Sequence, residues 1–296
     1  ELLARYEPRS FVGNSPTIQK VRELIRRVAP TNSNVLISGE SGTGKEVVAR
    51  ALHRLSERCD RRLVTVNCAA LPEPLLESEL FGHAKGAFTG ASRSTEGLFQ
   101  AADGGTLFLD EIGAMPTSLQ SKILRAVEAK EIVPIGTTTA VKADVRILAA
   151  TSTDLAAASR EGKFIDALYY RLNVFEIPMP PLRQRKEDIP VLVNHFLARF
   201  NLELKKRVTG VDDQAMAVLM AYEWPGNVRE LENAIERAMI LTDGEHLTVE
   251  GLPLSLQSLP AGPAGRPLDL RSVLRRAELD HIAAVLALTG QDKVKA

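Results

Sequence analysis

Residues 34–57 read NVLISGESGTGKEVVARALHRLSE, and the fold turns on how that stretch divides. Val35, Leu36 and Ile37 make an apolar run of strand length, too short for a buried helix. Gly39, Glu40, Ser41, Gly42, Thr43, Gly44 and Lys45 follow, and the remainder carries helical periodicity. A glycine-rich turn between a strand and a helix is the setting a phosphate-binding loop requires. The glycines let the backbone curl so that N–H groups point inward, the helix N-terminus adds positive potential, and the lysine reaches the outer phosphates. One position departs from the generic pattern. Ser or Thr is expected after the lysine to bind magnesium, and Glu46 stands there.

Outward from this stretch the same alternation continues. Strand-like runs recur at 62–70 (RLVTVNCAA), 104–111 (GGTLFLDE), 144–152 (DVRILAATS) and 173–179 (NVFEIPM). Helical periods lie between, as in 14–30, where Ser15 is placed to cap, Pro16 sits in the first turn and Pro30 stops the helix. Short strands apolar on both faces, alternating with helices, predict an α/β fold with a parallel sheet covered on both sides. TLFLDE then delivers Asp110 and Glu111 at the C-terminal end of a buried strand, where open α/β sheets bind ligands. The first acid can hold Mg²⁺, directly or through water; the second can activate a water for attack on a γ-phosphate. Together the two motifs imply ATP binding and hydrolysis.

Strand signals stop after residue 182. Helical periods at 190–204, 213–224 and 227–241 predict a small all-helical lid over 183–252, following an α/β nucleotide-binding part over 1–182. Pro and Gly cluster in 253–268, the composition of a linker, and 269–296 is helical again.

Composition narrows the class. Of 296 residues, 45% are hydrophobic and 25% charged, as in a globular protein rather than a disordered or fibrous one. Lys plus Arg and Asp plus Glu are 37 each, a balance that argues against a surface built around nucleic acid. No apolar run reaches the length of a membrane span. Cys59 and Cys68 lack metal or redox spacing and read as reduced thiols of a cytoplasmic protein. The five histidines are scattered, so no metal site is expected from them. The chain starts at Glu1 rather than Met, as a fragment would.

Residues 82–91, GHAKGAFTGA, fit neither helix nor strand well, being rich in glycine and poor in β-branched residues. A lone aromatic in such a stretch either packs back onto the core or is presented to a partner. With GESGTGKE and TLFLDE, the segment Gly86, Ala87, Phe88, Thr89, Gly90, Ala91 (GAFTGA) makes the chain resemble the ATPase domain of bacterial enhancer-binding proteins. These are AAA+ activators, often of two-component systems, that remodel RNA polymerase carrying sigma-54. The resemblance runs through about residues 8–252, and Glu46 is the family's usual residue after the lysine.

The resemblance implies roles residue by residue. The GAFTGA loop would rise when nucleotide changes, and its Phe88–Thr89 pair would touch sigma-54. Residues 131–139 (EIVPIGTTT) correspond to a second loop beside it. Asn67 in VNCAAL matches the asparagine that restrains the catalytic glutamate, here Glu111. AATS matches the first sensor, with Thr151 kept and Ser152 in place of the usual asparagine, a shorter hydrogen-bonding group. WPGNVREL matches the second sensor, with Arg229 facing the nucleotide of its own subunit. A ring, hexameric in this family, with ATP between neighbours is implied.

One departure bears on catalysis. The family usually writes Phe-Arg-x-Asp-Leu-Tyr-Tyr-Arg-Leu where this chain has FIDALYYRL at 164–172. Arg171 is kept as a candidate finger entering the neighbouring site, but Ile165 replaces the other arginine and Ala167 the aspartate. The alternative to a motor is therefore a nucleotide-gated sigma-54-binding module with little turnover. Residues 278–296 resemble the opening of a Fis-type helix-turn-helix domain without its recognition helix. Enhancer DNA is thus expected for the full-length protein and not for this chain. No receiver or ligand-sensing domain lies within it, so the input signal is expected to come from elsewhere.

Overall fold

The computed structural model describes residues 11–88 and 91–257. It runs α1 (Pro16–Val28), β1 (Val35–Ser38), α2 (Lys45–Arg54) and β2 (Leu63–Asn67). Next come α3 (Glu73–Phe81), the short strands β3 (Gly82–His83) and β4 (Thr95–Glu96), and α4 (Leu98–Ala101). β5 (Thr106–Asp110) leads to α5 (Thr117–Ala129), the strands β6 (Glu131–Ile132) and β7 (Val141–Lys142), and β8 (Arg146–Thr151). α6 (Leu155–Arg160), α7 (Asp166–Leu172) and β9 (Phe175–Pro178) complete the α/β part. The rest is α8 (Ile189–Leu204), β10 (Gly210–Val211), α9 (Asp213–Ala221), α10 (Asn227–Leu241), β11 (His246–Leu247) and α11 (Leu254–Gln257).

The five long strands form one parallel sheet in the order β2-β5-β8-β1-β9, as the alternation of runs predicts. Side chains alternate across a strand, so an all-apolar run supplies two cores at once. Leu36, Leu107, Leu109, Ile147 and Ala149 enter the cluster under α3, α5 and α7. Val35, Ile37, Phe108, Leu148 and Ala150 enter the opposite one, under α1 and α2. Every residue of β8 is buried. Its first, Arg146, caps the end of α1 by donating to the carbonyls of Ala29 at 2.7 Å and Val28 at 3.1 Å. α1 itself begins as expected, with the Ser15 hydroxyl accepting from Ile18 N–H and Ile18, Val21, Ile25 and Val28 on the buried stripe.

α8, α9 and α10 enclose a separate helical core around Phe196, Trp224, Leu231 and Ile235. Trp224 is fully buried and satisfies its indole N–H on the carbonyl of Leu219 at 2.8 Å. The linker expectation is corrected at its start: residues 254–257 form α11, and Leu256 closes the lid core. The remainder of the expected linker, residues 269–296 expected to begin a helix-turn-helix domain, and residues 1–10 lie outside the described residues. Among the described residues no helix is long and apolar enough to cross a membrane.

Two small antiparallel pairs interrupt the α/β alternation. β3 pairs with β4, and β6 with β7, and the two hairpins touch through His83 and Ile135. Their bases are stitched by Ala84 N–H to Ile135 O and Ile135 N–H to Gly82 O, each 2.9 Å. The tip between β3 and β4 holds the GAFTGA segment, of which Thr89 and Gly90 lie outside the described residues. Gly86 donates to Ala91 O at 2.9 Å, and Ala91 is buried. Gly136 of the second loop lies so close that a Cβ there would meet that of Ala87 at 2.7 Å. Phe88 is 46% exposed, its ring edge-on to His83 with centroids 4.9 Å apart.

Candidate active site

Because β8 lies between β1 and β5, the C-terminal ends of all three strands converge on one edge of the sheet. The glycine loop leaves β1 there, the acids leave β5, and Ser152 follows β8. A cavity of about 750 Å³ opens above them, roofed by the lid.

Lys45 is buried at the first turn of α2. Its ammonium donates to the carbonyls of Gly39 at 2.8 Å and Glu40 at 3.3 Å, and stands 3.3 Å from Glu111 Oε1. Glu111 takes a left-handed backbone, φ 50°, that turns its carboxylate back over the end of β8. Oε2 accepts two donors from Ser152, the backbone N–H at 3.1 Å and the hydroxyl at 2.6 Å. Burial raises this carboxyl, but the Ser152 hydrogen bonds and the Lys45 charge outweigh it and hold it below the ordinary carboxylate value.

Asp110 is pushed the other way, by burial and then by the neighbouring Glu111 charge. Its Oδ1 accepts the Glu111 N–H at 3.0 Å, and among the described residues no cation comes within ion-pair distance of it. A desolvated carboxylate with open lone pairs suits a hard divalent cation, which takes one or two carboxylates plus phosphate oxygens. Glu46 is less suited, since Oε1 accepts from Arg50 Nε at 3.0 Å and Nη2 at 2.6 Å. Among the described residues no group of three or more His, Cys, Asp or Glu could hold a metal unaided.

The lid is bound to the loop itself. Gly42 O accepts from Val228 N–H at 3.0 Å and Arg229 N–H at 3.3 Å, the opening of α10. At Gly42, φ +78°, a Cβ would lie 2.2 Å from Gly226 O, so only glycine permits the approach. Arg229 also reaches Ser41 Oγ at 3.3 Å and lines the cavity. Asn227, fully buried, accepts from Leu182 N–H at 2.8 Å and donates to Ser41 O at 3.0 Å and Glu40 Oε2 at 3.1 Å. Arg183 pairs with Glu40 through two bonds, 2.8 and 2.6 Å. That pairing and the Asn227 bond bring the Glu40 carboxyl down to about 2. Arg185 donates to Thr43 O at 2.9 Å. Asn227→Ala leaves a buried N–H and the loop acceptors unmatched, and is expected to cost about 2 kcal/mol. Urea unfolding checks this as a lower midpoint at unchanged slope.

Ser41, Gly42, Thr43, Gly44, Lys45, Glu46, Asn67, Asp110, Glu111, Ser152 and Arg229 all face the cavity. Gly39 and Glu40 shape the loop from behind it. Thr151 does not line it: its hydroxyl donates to Thr153 O at 3.0 Å and is buried within its own turn. Asn67 lies opposite Asp110 in register, but its Oδ1 accepts from Ala69 N–H at 2.9 Å. Among the described residues the side chain that binds Glu111 from a neighbouring strand end is Ser152, not Asn67. Arg171 lies outside the cavity, half-exposed on α7, with Nη2 3.7 Å from Glu128. Ile165 sits at the start of α7, packs partly buried on the main core, and donates its N–H to Gln120 Oε1 at 2.8 Å.

The far end of the cavity was not legible in the sequence. Phe11, Val12, Leu192 and Phe196 form an apolar wall suited to a flat base. Arg199 closes it, stacked 4.4 Å over the Phe200 ring and bonded to Glu232 at 2.6 Å. On α8 these positions share the period of ordinary core residues, so only the charge of Arg199 on that face was available as a signal.

A glycine loop on β1, acids on β5, polar residues on β8 and a helical lid over their shared edge define a P-loop NTPase of the AAA+ class. The Sigma-54 interaction domain family matches residues 11–178, and the AAA+ ATPase lid domain family matches residues 183–264. The chain belongs to the Sigma-54 interaction domain family. It is 52% identical over 286 residues to the transcriptional regulatory protein ZraR of Escherichia coli strain K12, covering 97% of this chain and 64% of ZraR. Crystal structures of NtrX from Brucella abortus in complex with ADP and with ATP each superpose with a TM-score of 0.80 at 38% identity. They cover 95% and 96% of this chain and 64% of NtrX. The chain thus spans 64% of the length of these relatives.

Proposed function

We propose that this chain is the ATP-hydrolysing motor of a transcriptional activator, which remodels the closed complex of sigma-54 RNA polymerase through its GAFTGA loop. The observation that carries the reading is the meeting of Lys45, Asp110 and Glu111 in one cavity, in a part that also projects Phe88. ATP in the NtrX crystal and the regulatory role in the name of ZraR agree with it.

The loop amides and Lys45 bind the β- and γ-phosphates, and the apolar wall takes the base. Asp110 would hold Mg²⁺, which when bound offsets phosphate charge. Glu111 accepts the proton of a water whose oxygen bonds to the γ-phosphorus as the bond to the ADP oxygen breaks. Arg171, outside its own cavity, is read as reaching the γ-phosphate of a neighbouring subunit in a hexameric ring, and Arg229 as reporting nucleotide to the lid of its own subunit. Asn67 opens the connection to α3, which runs directly into the β3–β4 hairpin. α3 is tied to α5 by Glu73–Ser118 and Glu77–Lys122, so a shift at the site has a stiff element to travel along. Sigma-54 meets Phe88 and Thr89 of the GAFTGA loop, residues 86–91. The setting is the cytoplasm.

Phe88→Ala tests the partner. Sigma-54 affinity is expected to fall at least about tenfold, as for an exposed aromatic anchor, with ATP binding unchanged. Equal affinity of the two chains for sigma-54 would remove the loop from the interface. A second reading, a nucleotide-gated binding module with negligible turnover, draws on Ile165, whose core-packed side chain offers no cation to a neighbour.

A further inference from the structure

Asp188 stands at the N-cap position of α8, where an aspartate ordinarily accepts a hydrogen bond from its own helix. Its side chain makes no such bond. Fully buried, it is turned instead onto the segment that leads into α1. Oδ1 accepts the Asn14 N–H at 2.6 Å and the Ser15 N–H at 2.7 Å, and Oδ2 accepts the Ser15 hydroxyl at 2.6 Å. Gly13, φ +136°, packs so closely on the same carboxylate that a Cβ would lie 2.9 Å from Oδ2. A buried carboxylate holding three donors is a strong tie between segments far apart in sequence.

Both segments run into the far wall of the cavity. Phe11 and Val12 lie just before the tie, and Leu192 and Phe196 follow Asp188 at helical spacing along α8. Phe11 is held further by Arg22, whose Nη2 donates to its carbonyl at 2.8 Å and whose guanidinium lies 5.6 Å from its ring centroid. Arg185, in the same turn as Asp188, grips the phosphate loop at Thr43 O. The turn thus holds the phosphate end with one residue and the apolar end with the other.

We propose that Asp188 is the positioning residue for the base end of the cavity: it clamps residues 11–15 to the start of α8, so that both halves of the apolar wall stand together before nucleotide arrives. The inference rests on the reading of that wall as the seat of the base. With the clamp open, the Phe11 segment must be ordered as the nucleotide binds. That cost falls on the base and not on phosphates held by Lys45 and the loop amides.

The test uses the full 296-residue chain and two probes at equilibrium, ADP and inorganic pyrophosphate, which carries two phosphates without the nucleoside. Asp188→Ala is expected to weaken ADP about tenfold and leave pyrophosphate within about twofold of wild type. Asp188→Asn keeps an oxygen for the two backbone N–H groups and offers its amide to the Ser15 hydroxyl, so it is expected to recover most of the ADP affinity. Gly13→Ala opens the clamp from the other side and is expected to give the same selective loss, which decides the matter should Asp188→Ala not fold. Losses shared equally by ADP and pyrophosphate, or Asp188→Asn as weak as Asp188→Ala, overturn the proposal. Phe11→Ala separates it from the reading beneath it. ADP weakened by Phe11→Ala but bound at wild-type strength by Asp188→Ala and Gly13→Ala overturns the clamp alone. ADP affinity unchanged in Phe11→Ala overturns the base wall and its clamp together.

Discussion

Arg171→Ala is expected to lower the ATP turnover number by about 10³–10⁵-fold, the range for an arginine donated in trans to a transferring phosphoryl group. ATP affinity should stay close to that of wild type, because the side chain is absent from its own cavity and half-exposed beside Glu128. Steady-state hydrolysis with a separate binding titration checks both halves. The trans assignment gives a sharper result. Chains carrying Arg171→Ala keep a complete cavity, and chains carrying Lys45→Ala keep a complete finger. Mixing two inactive chains is expected to restore part of the activity, since some interfaces then pair an intact cavity with an intact Arg171. Without recovery on mixing, Arg171 acts within its own subunit or only in assembly. Ile165 does not compete for this role, because its side chain belongs to the core under α7.

Glu111→Gln is expected to lower turnover by about 10²–10⁴-fold, the usual contribution of a positioned general base. Binding should persist and can only gain, since the substitution removes the carboxylate that holds Lys45 at 3.3 Å. That separates it from Lys45→Ala, which loses the phosphate ligand itself and is expected to fail at binding. A Glu111→Gln chain that binds ATP and hydrolyses it at the wild-type rate would take the base away from Glu111.

The sheet was legible because its strands are buried on both faces and therefore read as unbroken apolar runs. Val35–Ile37 and Leu107–Leu109 serve two cores at once, a pattern a surface strand would not carry. The loop and acid motifs were legible because their chemistry needs particular residue types in a fixed order. The lid's grip on the loop was not. Asn227 lies inside WPGNVREL, yet its buried, left-handed backbone and its three long-range partners depend on how α10 docks, which no local pattern encodes. α3 and α7 were missed for a related reason: each is short, and α3 carries Leu75 exposed beside Leu76 buried, so no stripe stands out. Likewise Thr151 and Ser152 are adjacent letters. Only the turn after β8 decides that the first bonds within its own bend and the second reaches Glu111.

In the proposed motor a ring of these chains turns over ATP, each completing its neighbour's site. The most direct measurement is steady-state ATP hydrolysis by the wild-type chain across a wide range of protein concentration. Specific activity is expected to rise with concentration to a plateau as subunits assemble. Activity at background at every concentration, with ATP bound, would contradict it and leave a nucleotide-gated binding module.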